Sequence, residues 1–348
     1  MLMAPGDGAL VKWSRSLGIP AFSLPLGSYS NGKKTPRDLL RFAFDVPRMA
    51  LAVNRVVRRE NVDLVYVNGP RALPAVIGLT CPVVFHAHNS VRGQAERRIM
   101  RWALRSAKAG IIVASKHVAM GHESSLVIYN GVADLWRGPR NFDGANPRVG
   151  FIGRIAPEKG LLDFVRAAHE LSRIGVTAEF LIYGKALFGN AAFEREVRSA
   201  AEGAPISFCG WTDELARVLG GLDMLAVPSG PDEAATRTIM EAFSAGTPVL
   251  AYRAGGIPEL VEHNRTGILT ETADSAALAR NIRRLLEDRA TMRRLSLAGR
   301  EEWNERFRAE RFRRSVCDVL ERYAQSASEK RPESSAPARG HDETLVSP

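Results

Sequence analysis

Short apolar, β-branched runs alternate with amphipathic stretches along most of the chain. In the first half the runs read VDLVYVNG, PVVFHAHN, GIIVAS and LVIYNG; in the second they read RVGFIGR, AEFLIYG, PISFCG, DMLAVPS, TPVLAY and GILT. Continuous apolar strands separated by helical patterns are what a parallel sheet covered on both faces requires. Two such series predict an α/β protein with two doubly wound, Rossmann-like domains. The break falls between Trp136 and Arg148, where Gly, Pro, Asn and Asp cluster and periodicity lapses. This gives a first domain over residues 1–140, a second over 147–308, a charged helix over 309–326, and a tail over 327–348 whose polar composition predicts disorder. No repeat of solenoid period is present.

With 45% hydrophobic and 25% charged residues the chain has the composition of a globular protein. No run reaches the length of a membrane span, and the opening residues lack the apolar core of a secretion signal, so a cytosolic location is expected. Cys81, Cys209 and Cys317 follow no metal or redox spacing and are expected to be reduced, buried thiols. The net charge of +10 changes the picture because it is lopsided. Residues 1–145 carry 20 Lys and Arg against 9 Asp and Glu, a net +11, while the remainder carries 28 against 29, a net −1. Such a field favours an anionic partner, whether phosphate-bearing lipid, membrane surface or nucleic acid, although a generally basic composition accounts for it equally well. Nucleic acid is not expected, since no aromatic-interleaved basic strand, zinc spacing or recognition helix is present.

Candidate chemistry collects at predicted strand ends. In GFIGRIAPEKG, Arg154 and Lys159 follow a strand and open a helix, where two cations and free N–H groups suit a diphosphate; the other reading is a pair of solvated surface charges. In PSGPDEAATRTIMEAFSAGTP, Glu233 lies in a turn after a strand and Glu241 further along a helix whose Ile239, Ala242 and Phe243 face the core. At the mouth of an open α/β sheet these carboxylates can accept hydrogen bonds from sugar or ribose hydroxyls, though either alone suits a solvated face as well. Gly255 and Gly256 allow close backbone approach to a ligand, or simply a tight turn. Gly210 and Trp211, ahead of a helix start, could meet a base, or belong to ordinary capping at Thr212 or Asp213.

Order and spacing together resemble the retaining glycosyltransferases of family 4, which have the GT-B fold of two Rossmann-like domains facing a cleft. The resemblance runs from about Leu10 to Arg308 and rests on GRIAPEKG, DEAATRTIMEAFSAGTPV, AGGIPELV with NRTGIL, and VIYNGV. It implies that Arg154 and Lys159 hold the diphosphate of a nucleotide sugar and stabilise the departing nucleoside diphosphate. It implies that Glu241 binds the ribose, and that Glu233 binds the donor sugar with the backbone around Ala235 and Thr236. His88, with His86 as the other candidate, would approach that sugar from the first domain, and Gly131 would be a turn. It also implies retention by front-face attack with no cofactor. No DxD-like acidic pair stands where it would hold a metal, so two fixed cations and a helix dipole are expected to replace one. Two departures are evident. Ala234, Ala235 and Thr236 stand where the family carries glycine and an aromatic residue, and the opening stretch looks like the family's second unit, without the first strand and glycine-rich loop. A sheet lacking that strand is expected to expose an apolar edge.

The expected function is therefore transfer of a sugar from a UDP or GDP sugar to a glycan or lipid-linked acceptor, in cell-surface polysaccharide or glycolipid synthesis. The alternatives are a sugar-nucleotide epimerase of the same fold and a non-catalytic protein that binds an anionic ligand. Arg97, Arg101, Arg105 and Lys108 form a cationic stripe beside Ile99, Met100, Trp102 and Leu104. That stripe is expected to touch an anionic membrane from the cytoplasmic side, or to be an ordinary solvated helix face.

Overall fold

The computed structural model describes residues 1–27, 35–89, 91, 93–119, 124–187 and 189–328. Beyond Ser328 the tail for which disorder is expected lies outside the described residues. The first half runs β1 (Leu2–Pro5), α1 (Ala9–Ser16), β2 (Ala21–Leu24), α2 (Pro36–Arg59), β3 (Val65–Asn68), a 3-10 turn (Pro70–Val76), β4 (Val83–Ala87), α3 (Gln94–Ser106), β5 (Gly110–Val113), α4 (Lys116–Ala119) and β6 (Leu126–Val127). The second half contains β7 (Arg148–Ile152), α5 (Leu161–Arg173), β8 (Glu179–Tyr183), α6 (Ala191–Ala200), β9 (Ile206–Gly210), α7 (Leu215–Gly221), β10 (Met224–Val227), α8 (Arg237–Ala245), β11 (Val249–Tyr252), β12 (Ile268–Thr270), α9 (Ser275–Glu287) and α10 (Arg289–Glu302). A π-helical turn (Trp303–Phe307) then leads into α11 (Ala309–Ser328).

The second half is a six-stranded sheet in the order β12-β11-β10-β7-β8-β9, parallel at every pairing. Strand order reverses between β7 and β10, so a crevice opens at their C-terminal ends. The apolar runs bury both faces. Met224 and Ala226 face one core with Phe151, Phe164 and Phe180, while Leu225 and Val227 face another with Ile239, Phe243 and Trp303. That alternation is the period-two pleat of a strand with helices on either side.

In the first half β3-β4-β5-β6 form a parallel four-stranded sheet, and β1 and β2 pair in a separate parallel sheet of two. One face of β4 packs Val83, Phe85 and Ala87 against Met49 and Val53 of α2 and Leu104 of α3. On the other face Val84 meets Val319 of α11, with Leu320 and Tyr323 alongside. The chain therefore crosses to the second domain at residues 128–132 and returns near Arg308, so that its last helix packs on the first domain. The two crossings are bonded to each other: Val132 N donates to Phe307 O at 2.9 Å, and Ala309 N to Val132 O at 3.1 Å. The linker is moored to the second domain, with Phe142 fully buried there and Asp134 paired to Arg300. Of the three thiols expected to be buried only Cys81 is; Cys209 and Cys317 are exposed because they lie on an edge strand and on a helix face turned to solvent.

Candidate functional site

The second-domain residues predicted for the site lie at or beyond the C-terminal ends of β7, β9 and β10, with Glu241 set further along on α8. After β7 the chain stays against its neighbour, Gly153 N and Ile155 N donating to Tyr183 O and Lys185 O at 3.0 and 3.1 Å. Ile155 and Ala156 are fully buried, which anchors the loop and leaves Arg154 and Lys159 at its rim. Gly160 ends the turn with φ +66°, and a Cβ there would sit 1.8 Å from Pro228 O, so only glycine lets this turn lie on the end of β10. That contact brings the two loops of the switch point together. Lys159 Nζ pairs with Glu233 Oε2 at 2.5 Å, both side chains mostly buried. Arg154 pairs with Glu158 at 3.1 Å and stays about a third exposed.

The Glu233 loop is held by backbone. Gly230 N donates to Glu158 O at 2.9 Å and Gly256 N to Glu233 O at 2.8 Å. Gly255 and Gly256 do allow a close approach, but what approaches is this loop: a Cβ on either would lie 2.1 Å from Glu233 O or 1.8 Å from Ala234 O. Thr236 is buried at the start of α8, and Ala235 packs on the core beneath. Glu241 points inward from α8, its side chain 16% exposed, so the solvated-face reading fails. Burial raises its pKa and Arg237, 3.5 Å away, partly offsets this. Gly210 closes β9 with φ +73°, and the exposed Trp211 lies under Lys185 Nζ, 5.1 Å from the ring centre. Capping at Thr212 is a turn bond to Glu214 N at 3.0 Å rather than a helix cap, because α7 begins only at Leu215.

The two histidines share the β4 face that looks toward α11. His86 is fully buried, its Nδ1 2.5 Å from the Tyr66 hydroxyl, while Nε2 has no partner among the described residues. Burial, and then the neighbouring His88, lower its pKa to about 4. His88 stands just past the strand end with its ring centre 4.1 Å from that of His86, half-buried, its pKa lowered by burial. With no exposed surface His86 has no face for a ligand, which leaves His88. Ala114 N donates to Ala87 O at 3.0 Å, so His88 adjoins Ser115, whose Oγ donates to Ala234 O at 2.7 Å. The first domain thus meets the Glu233 loop one strand away from His88. Sequence reasoning missed Ser115, and also Glu259, whose carboxylate accepts from Lys116 N and His117 N. Their signals were the Ser that ends GIIVAS and the Glu of GGIPEL. Among the described residues no three His, Cys, Asp or Glu side chains converge as a metal site.

Residues 146–288 match the family model described as glycosyl transferases group 1. Over that span the second domain is similar to the group 1 glycosyltransferases. The chain is 37% identical over 157 residues to the 2-deoxystreptamine glucosyltransferase of Streptomyces kanamyceticus, a match covering 44% of this chain and 40% of that one. It is 30% identical over 188 residues to the amylovoran biosynthesis glycosyltransferase AmsK of Erwinia amylovora, covering 51% and 45%. The matches span less than half the length of these two relatives. In fold it is similar across both domains to HepE of Anabaena, solved in complex with UDP, with TM-score 0.77, 24% identity and 92% of each chain covered. The sucrose-phosphate synthase of Thermosynechococcus elongatus superposes with TM-score 0.73 at 20% identity, over 93% and 98%. The two-domain GT-B architecture is therefore that of the chain.

Proposed function

We propose that the chain transfers a sugar, with retention of configuration, from a UDP or GDP sugar to a glycan or lipid-linked acceptor in cell-surface polysaccharide or glycolipid synthesis. The single observation that carries this reading is the Lys159–Glu233 contact, which joins a cationic loop and an acidic loop across the switch point. A diphosphate fits beside Arg154 and Lys159, the ribose hydroxyls at Glu241, and the sugar between Glu233, the backbone of Ala235 and Thr236, and His88. Trp211 and Gly210 border the base. That HepE is solved with UDP and with UDP-glucose favours a nucleotide of this kind.

In the reaction the sugar C1–O bond to the diphosphate breaks and a bond from C1 to the acceptor oxygen forms. The acceptor's proton passes to the leaving phosphate oxygen. Arg154 and Lys159 stabilise the charge that develops on that phosphate, which lets the step run without a metal ion. The acceptor comes from the side of the first domain, whose basic, apolar-studded helices suit the cytoplasmic face of an anionic membrane.

Calorimetric titration with UDP, GDP and ADP tests the reading. One nucleotide is expected to bind, and Arg154→Ala is expected to weaken it by about 1.5–3 kcal/mol through lost charge-assisted bonds. Binding of none, or binding indifferent to Arg154, would sink the assignment. Release of nucleoside diphosphate only in the presence of acceptor separates transfer from epimerisation.

A further inference from the structure

The two crossings between the domains make a thin hinge. Gly131 sits in it with no space for a side chain, since a Cβ would lie 2.6 Å from Arg308 O and 2.7 Å from Phe312 Cβ. The two crossings are bonded to each other and resist stretching, but the second has only Arg308 between the π-helical turn and α11, so the angle between the bodies stays soft and something else must fix it.

That something is Glu259, on the short 3-10 turn Ile257–Glu259 that follows β11. Its Oε2 accepts from Lys116 N at 2.7 Å and its Oε1 from His117 N at 2.8 Å, both at the start of α4 in the first domain. Oε2 also accepts from the Tyr129 hydroxyl at 2.9 Å, on the first crossing. The carbonyl of the same residue accepts from Arg306 Nη2 at 3.0 Å, on the second crossing, and the Arg306 guanidinium covers the Tyr129 ring at 5.2 Å. One residue is thus tied to the opposite domain and to both arms of the hinge. Beside it the buried Ser115 hydroxyl accepts from Val118 N at 3.3 Å, which aims its proton at Ala234 O, 2.7 Å away. Ala234 follows Glu233, the partner of Lys159.

We infer that Glu259 and Ser115 are positioning residues: Glu259 fixes the angle of the interdomain cleft, and Ser115 passes that setting to the Glu233 loop. The part played by Ser115 rests on reading that loop as the donor site; the part played by Glu259 does not. A carboxylate is required because two N–H groups point at it from one turn. A carboxamide can accept one of them but turns its own NH2 toward the other.

Glu259→Gln is the informative variant, because it keeps size and replaces only the second acceptor. Hydrogen exchange at the Lys116 and His117 amides of the unliganded protein is expected to speed up about tenfold, with strands β7 and β10 unchanged. The radius of gyration from small-angle scattering is expected to rise, and UDP affinity to fall about tenfold. Ser115→Ala is expected to weaken UDP while leaving scattering and the His117 amide as they are. Glu259→Asp, which keeps two acceptor oxygens, is expected to recover part of the protection. Unchanged scattering and unchanged exchange at Lys116 and His117 in Glu259→Gln would overturn the inference. If scattering and exchange respond but the unmodified protein binds no nucleotide, the clasp stands and the donor-site reading falls.

Discussion

Lys159 and Glu233 pair with each other, so a diphosphate bound as proposed would compete with a carboxylate for the same ammonium. Glu233→Gln removes the competitor. UDP, which has no sugar to miss the carboxylate, is expected to bind that variant more tightly, by roughly 1 kcal/mol in a calorimetric titration. If Glu233 orients the sugar as proposed, turnover of the sugar nucleotide is expected to fall by about 10²–10³ with its loss. Weaker UDP binding by Glu233→Gln would mean that the pair supports the site instead of competing with the ligand. His86 gives a second prediction at this scale. Burial holds its ring neutral in the folded protein down to about pH 4, while the unfolded chain takes up its proton near pH 6.5. Between these values the unfolded state binds more protons, so the contribution of His86 to stability is complete above pH 6.5 and declines as pH falls toward 4. Denaturant titrations at pH 7 and pH 4.5 are expected to show a smaller acid loss for His86→Leu than for the unmodified protein. An equal loss in both would place the acid sensitivity elsewhere.

The elements hold these residues through close backbone contacts that a side chain would block. The turn that ends at Gly160 lies on β10 only because its φ of +66° and the nearby Pro228 carbonyl exclude a Cβ. Gly160→Ala is expected to cost about 1–3 kcal/mol for the left-handed backbone alone. The displaced turn should also pull Lys159 from Glu233, so UDP affinity is expected to fall together with the melting temperature; lower stability with unchanged affinity would show that the loop is set independently of the turn. How far such features could be read in advance depends on their range in sequence. The ten strands of the two larger sheets, the loops after β7 and β10, and the inward face of α8 are local patterns of period and turn chemistry, and these were legible. The Ser115–Ala234 and Glu259–His117 bonds span more than a hundred residues, and nothing in a local pattern reports that two strand ends will meet. The same holds for α11: it reads in the sequence only as a charged helix, and nothing there says that it packs on the first domain, reached by a second crossing. The separate β1–β2 sheet was likewise invisible, because strand runs do not specify which sheet they join.

At the scale of the molecule the charge asymmetry acquires a geometry. On one side of the β3–β6 sheet, α2, the Pro70–Val76 turn and α3 form a single layer whose inner face carries Met49, Val53, Leu73 and Leu104. The outer face of α2 exposes Leu40, Phe44 and Leu51, each by more than 60%, at spacings that keep them on one side. Arg37, Arg41, Arg48 and Arg55 lie on the same helix. The outer face of α3 exposes Ile99 and Trp102 among Arg97, Arg98, Arg101 and Arg105. Apolar side chains ringed by arginine are what an anionic lipid surface binds, by insertion and by charge together, and no helix among the described residues is long and apolar enough to cross a membrane. The chain is expected to float with vesicles that contain phosphatidylglycerol and not with those made of phosphatidylcholine alone. Raising salt from about 0.1 M to about 1 M shortens the screening length from roughly 10 Å to roughly 3 Å and should release most of it. Phe44→Ser and Trp102→Ser are expected to reduce flotation at low salt while leaving UDP titration unchanged, since neither lies near the strand ends that bear Arg154 and Glu233. Flotation indifferent to lipid charge and salt would detach the basic half from any membrane, and the apolar face of α2 would then need a protein partner to cover it.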